Sequence, residues 1–183
     1  MVELAILGFL AEGPLHGYEL RRRVAHLSGY ARPVSDGTLY PAIKRMSDAG
    51  WLDRRVEPGA SAAQRFVLSL TEAGRAELMR RLARPADLDI TDLTRWLTVL
   101  AFLSLLPDPA DQHAVLRRRL EFLEQPASFF YDGDRPLRAV DLTDPYRTGM
   151  FVIARATSRA ERAWLREVLG SADDPAAPSG TDG

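Results

Sequence analysis

Apolar and polar positions along this chain change period several times, and each change marks an element. In "VELAILGFLAE" (Val2–Glu12) and "GYELRRRVAHL" (Gly17–Leu27) apolar residues recur at spacings of three and four, which predicts two amphipathic helices. "GPLHG" between them holds the glycines and the proline that end the first helix. A third helix is predicted over "SDGTLYPAIKRMSDAG" (Ser35–Gly50). At about 100° per residue, Leu39, Ala42, Ile43 and Met46 fall on one side, and Gly37, Tyr40, Pro41, Lys44, Arg45 and Asp48 on the other. Ser35 suits the N-cap, Asp36 the positive end of the helix dipole, and Gly50 the termination. Pro41 lies beyond the positions where proline is free of cost, so a kink, or a helix start nearer Thr38, is expected.

The period then drops to two over Trp51–Val56 and again over Arg65–Leu70, where Phe66, Leu68 and Leu70 share a face. "EPGASAAQ" between these runs is a loop with a Pro-Gly turn signal, and Thr71 caps a further helix with Glu72 in its first turn. Helix, helix, helix, strand, loop, strand, helix is the order of a winged helix-turn-helix, whose recognition helix enters the major groove of DNA beside its hairpin.

Beyond Arg84 the pattern is helical. "ITDLTRWLTVLAFLSLL" (Ile90–Leu106) is apolar nearly all round and must be buried against something. Asp108-Pro109 and Asp144-Pro145 each place a capping carboxylate before a proline suited to the first helical position. In the last helix Tyr146, Met150, Ile153, Thr157, Ala160, Trp164 and Val168 recur at three and four, a stripe fit for a partner helix or for an ordinary core. "PASFFYDGDRPLRAVDLT" (Pro126–Thr143) reads as a loop with a small aromatic cluster, and residues 171–183 have little to bury and are expected to be disordered. The fold class is mainly α with a small β-hairpin. The expected domains are a winged helix-turn-helix over 1–84, a helical part over 85–170, and the tail.

"LGFLAEGPLHGYEL", "VSDGTLYPAIKRMSDAGWL" and "RFVLSLTEAGRAEL" occur in that order, and with them residues Leu7–Leu78 resemble the DNA-binding domain of PadR-family transcriptional regulators. Ahead of "LTEAGR" the family usually has a basic residue and aromatics, where this chain has Phe66-Val67-Leu68-Ser69. The resemblance implies a homodimeric, ligand-responsive repressor on a near-palindromic double-stranded operator, with a helical C-terminal dimerisation part. It also suggests a phenolic, aromatic or lipophilic effector.

Charge divides the same way. Residues 1–84 hold 13 Lys/Arg against 9 Asp/Glu, a net +4, whereas residues 85–183 hold 11 against 16, a net −5. A basic head on an acidic body fits selective binding of a polyanion by one part. Candidate DNA contacts are Ser35, Gly37, Thr38, Tyr40, Lys44 and Arg45 on the third helix, with Arg54, Arg55 and Arg65 flanking the wing. Arg21, Arg22 and Arg23 cannot all face one way on a helix. Trp96 and Leu100 on the apolar helix, and Phe129 and Phe130 in the loop, are candidate effector contacts; dimer core is the other reading of Trp96. His16 reads as a turn or capping residue.

The chain has no cysteine, and its three histidines lack metal-site spacing, so neither a metal site nor a cofactor is expected. No nucleophile, phosphate-loop or paired-carboxylate motif points to catalysis, and no enzyme activity is expected. The first basic residue is Arg21, and the longest apolar run is far short of the roughly 18–20 residues of a membrane span. A cytoplasmic protein without a membrane partner is expected. A winged-helix module working mainly through protein contacts is the alternative function.

Overall fold

The computed structural model describes residues 1–27, 36–57, 65–125 and 128–173; Ser35, the wing loop 58–64 and residues 174–183 of the expected tail lie outside them. Packing gathers the chain into two compact units, one from Met1 to Val115 and one from Leu116 onward. The expected boundary at Arg84 does not coincide with this division: by packing, the first unit runs on through the helices that follow it.

The first unit contains α1 (Val2–Glu12), β1 (Leu15–His16), α2 (Gly17–Leu27), α3 (Asp36–Asp48), β2 (Leu52–Glu57), β3 (Arg65–Leu70), α4 (Glu72–Ala83), α5 (Asp87–Thr91) and α6 (Leu93–Phe102). The predicted order stands with one addition. "GPLHG" is more than a turn, because Leu15 and His16 pair with Leu68 and Val67 and make a third strand. The sheet is antiparallel in the order β1-β3-β2. α1, predicted amphipathic, is instead enclosed: α2, α3, α4 and α6 surround it and bury Leu4, Ala5, Ile6, Leu7 and Leu10. Phe9 meets Phe102 of α6 edge to face at 5.1 Å, which ties α6 to the winged helix.

The α3 helix runs from Asp36 straight through Pro41, so its start is not displaced to Thr38. Proline cannot donate to the carbonyl four residues back. Here that residue is Gly37, exposed like Pro41 itself, where water can take the place of the missing donor. At the other end Gly50 (φ +73°) closes the helix, with its N–H on the Ser47 carbonyl and the Trp51 N–H on the Met46 carbonyl. Such a left-handed cap favours glycine. Thr71 caps α4 as expected, its Oγ accepting the Gly74 N–H at 2.9 Å and donating to the Gly50 carbonyl at 2.7 Å.

Ile90–Leu106 is not one helix. Asp92 is extended and its carboxylate accepts the Arg95 N–H at 2.9 Å, ending α5 and starting α6, and a 3-10 turn follows over Leu103–Leu105. Nor is the segment buried all round. Trp96, Val99 and Phe102 are enclosed, whereas Leu93 and Leu97 are exposed.

The remaining helices are α7 (Pro109–Glu124), in which the division between the units falls, and α8 (Pro145–Asp173). Both start at the predicted prolines: Asp108 accepts the Ala110 N–H at 2.8 Å and Asp144 the Tyr146 N–H at 2.9 Å. α8 also runs three residues into the expected tail. In the second unit Arg119 of α7, itself buried, forks onto Glu161 of α8 at 2.7 and 2.9 Å. The expected loop holds a short hairpin, β4 (Tyr131–Asp132) with β5 (Arg135–Pro136), turned by Gly133-Asp134. Phe151, Leu165 and Leu169 on one face of α8 are buried, but the predicted stripe lies open. Tyr146, Met150, Ile153, Thr157, Ala160 and Trp164 are all exposed, Ile153 by 70%.

Candidate nucleic-acid interface

The exposed side of α3 follows from the buried one. Leu39, Ala42, Ile43 and Met46 sink into the core of the first unit, and helical period then turns Gly37, Thr38, Tyr40, Pro41, Lys44, Arg45 and Asp48 outward. Tyr40 is 51% exposed, far more than a packing tyrosine needs. Lys44 bonds Asp48 at 2.7 Å, but both side chains are more than half in solvent. A pair so exposed contributes little, and Lys44 remains available to a phosphate.

Arg45 has a different setting. Its guanidinium bonds Glu3 of α1 at 3.0 Å, and the same carboxylate takes Arg81 of α4 at 3.2 Å. Arg81 also bonds Glu77 at 2.6 Å, and Arg80 meets Glu77 at 2.7 and 2.8 Å. The Arg80 guanidinium, with Arg81 behind it, holds the Glu77 carboxyl at about 2, well below its ordinary 4.5. Burial pushes the Glu3 carboxyl up, but its hydrogen bonds to Arg45 and Arg81 outweigh that and leave it lowered. Arg45 thus reaches α1, with most of its side chain still in solvent.

The hairpin supplies the other wall. Arg54 stands opposite Leu68, and Val56 opposite Phe66. Side chains alternate across a strand, so Arg54 and Phe66 share a face, and the Arg54 guanidinium lies 3.4 Å above the Phe66 ring. That face, with α3 and the start of α2, encloses a cleft of about 590 Å³ lined by His16, Tyr18, Tyr40, Lys44, Arg54 and Phe66, among others. Arg55, paired with Val67, is on the opposite face and does not line this cleft. Arg65 begins β3.

The cleft includes Tyr18, which the sequence reading passed over, and His16, which it took for a turn or capping residue. Tyr18, in the first turn of α2, is 67% exposed and stacks on His16 at 5.9 Å. Its signal was an aromatic residue just after the glycine that opens α2. His16 is a strand residue rather than a cap, and its Nδ1 is buried without a hydrogen-bond partner among the described residues. Of the three arginines of α2, Arg23 is held by Glu19 at 2.8 Å and Glu12 at 3.2 Å.

The candidate effector residues fall in different units. Trp96 is 0% exposed within the first unit and Leu100 is half-buried one turn on, so a ligand stacks on Trp96 only if α6 moves. Phe129 is exposed and meets Phe151 edge-on at 5.4 Å. Phe130 is packed on Phe151 at 5.8 Å and covered by Arg147 at 5.0 Å. Among the described residues, no helix is long and apolar enough to cross a membrane, and no group of three or more His, Cys, Asp or Glu is placed to hold a metal ion.

Residues 6–80 match the transcriptional regulator PadR-like family. Over 179 residues, 94% of this chain and 98% of the relative, the sequence is 26% identical to the negative transcriptional regulator PadR of Bacillus subtilis strain 168. The structure of B. subtilis PadR in complex with operator DNA aligns with a TM-score of 0.44 at 20% identity, covering 92% of this chain and 96% of that one. Its complex with p-coumaric acid aligns with a TM-score of 0.40 at 21% identity, covering 94% and 99%.

Proposed function

We infer that this chain, which belongs to the PadR-like family of transcriptional regulators, is a homodimeric, sequence-specific DNA-binding repressor that acts in the cytoplasm and releases its operator when a small molecule binds. One observation carries the reading: α3 buries four apolar side chains and turns Gly37, Thr38, Tyr40 and Lys44 outward beside Arg54. Gly37 allows close backbone approach, Thr38 and Tyr40 offer hydroxyls, and Lys44 and Arg54 meet phosphates. The repressing sense follows the B. subtilis relative, a negative regulator aligned over almost the whole chain.

Dimerisation is supported by the open stripe of α8. One winged helix makes few base contacts, and two reading helices about 34 Å apart suit a near-palindromic site. The effector part rests on exposed aromatic surface outside the winged helix, with Phe129 as its clearest residue.

The test is a titration of the DNA upstream of the gene at two salt concentrations. Lys44→Ala should weaken binding at every sequence and lower the salt slope by about one. Arg45→Ala should lower the slope less than Lys44→Ala, because Glu3 shares its guanidinium. Tyr40→Phe should weaken binding with no change in unfolding. If Lys44→Ala and Tyr40→Phe both bind as tightly as the parent at both salts, α3 is not the reading helix.

A further inference from the structure

A cavity of about 520 Å³ lies wholly within the second unit, between the end of α7, the β4–β5 hairpin and one face of α8. Its apolar walls are Phe129, Tyr131 and Phe151, with Phe129 and Phe151 set edge to face. Its charged groups are unbalanced. Arg138, Arg155 and Arg162 line it against a single carboxylate, Glu124, which Arg166 already engages at 2.6 Å. Arg138 is partly compensated by Asp141 at 3.4 Å. Arg162 bonds only the Ser158 carbonyl, and Arg155 has no carboxylate within ion-pair distance among the described residues.

Two guanidiniums two helical turns apart, with Ser158 between them in sequence, therefore line an aromatic slot whose one carboxylate among the described residues, Glu124, is engaged by Arg166. Guanidinium forks suit planar or tetrahedral oxyanions. Apolar walls with a few converging polar groups are the usual form of a small-molecule site. We propose that this cavity binds a small aromatic molecule carrying a doubly charged oxyanion, its ring against Phe129 and Phe151 and its charge between Arg155 and Arg162. The two guanidiniums favour the higher charge: a dianion meets both, a monoanion one and a neutral aromatic neither.

The position on α8 adds a consequence, which rests on the regulatory reading above. Phe151, Ser158 and Arg162 lie on the face of α8 turned away from Ile153, Ala160 and Trp164, so ligand and partner chain hold opposite sides of one helix. Occupancy changes DNA affinity only if DNA-bound and DNA-free chains differ in affinity for the ligand.

The site is tested without DNA by calorimetric titration of the full chain at pH 8 with 1-naphthyl phosphate, 1-naphthoate and 1-naphthamide. These share a ring system and carry two, one and no charges. The phosphate should bind one per chain and at least tenfold tighter than the amide, with the carboxylate between. Arg155→Gln with Arg162→Gln should bring all three to the level of the amide, and Arg155→Lys with Arg162→Lys should restore most of the preference for the phosphate. Phe129→Ala should weaken all three. Equal affinity for the three probes, no binding of any, or a preference that survives the double glutamine variant would each overturn the site. A loss of DNA affinity in that variant with no ligand present would reassign the arginines to the DNA interface. If the probes bind as expected and DNA affinity does not respond, the site stands and the effector reading fails.

Discussion

Ile153→Asp should turn a dimer into single chains and lower operator affinity by two orders of magnitude or more. The residue is 70% exposed in the single chain, so aspartate there costs the fold little. In a dimer packed along Tyr146, Met150, Ile153, Thr157, Ala160 and Trp164 it would bury an unpaired carboxylate. Tethering two reading helices to one operator raises affinity by roughly 10²–10⁴ over one alone, and separation forfeits that gain. Sedimentation and DNA titration of the same sample check both parts. Arg159→Asp, on the same helix but outside the stripe, is the control for added negative charge. An Ile153→Asp variant that sediments as the parent does would move the interface off this face of α8.

The second large effect is on stability, and its sign is the informative part. Gly74 occupies the third position of α4, where helix propensity alone favours alanine by about 1 kcal/mol. A Cβ at Gly74 would meet the carbonyl oxygen of Trp51 at 2.1 Å and Leu70 Cδ2 at 3.0 Å. That carbonyl also accepts the Thr71 N–H at 3.1 Å, so α4 cannot back away without losing its cap. Gly74→Ala should therefore destabilise by about 3 kcal/mol, a fall in unfolding temperature on the order of 10 °C or more. Gly149→Ala in α8, where a Cβ meets nothing within 4 Å, should be neutral or slightly stabilising. If both alanines raise the unfolding temperature alike, α4 does not approach the Trp51 turn this closely.

What was legible in the sequence was what local chemistry decides. The two faces of α3 follow from period alone, and Gly50, Thr71 and the two Asp-Pro pairs fix helix ends through bonds made within a few residues. What escaped depends on partners far along the chain. Leu15 and His16 are a strand only because β3, more than fifty residues on, pairs with them. The bond from Arg45 to Glu3, 42 residues away, is another, because neither residue carries a local sign of it. Asp92 was hidden in an apolar run, where one carboxylate on the Arg95 N–H splits the helix. Trp96 shows the same limit: apolar periodicity marked it as buried against something, but only packing made that something its own unit.

Two copies of α3 are expected to read one symmetric stretch of DNA. The most direct test is selection of randomised duplexes on the purified full-length chain, with the salt dependence of the winning sequence measured against a shuffled duplex. The selection should enrich a motif with two-fold symmetry and half-sites about one helical turn apart, bound on the order of 10³-fold or more tighter than the shuffled duplex. No enrichment, or equal affinity for selected and shuffled duplexes at physiological salt, would contradict it.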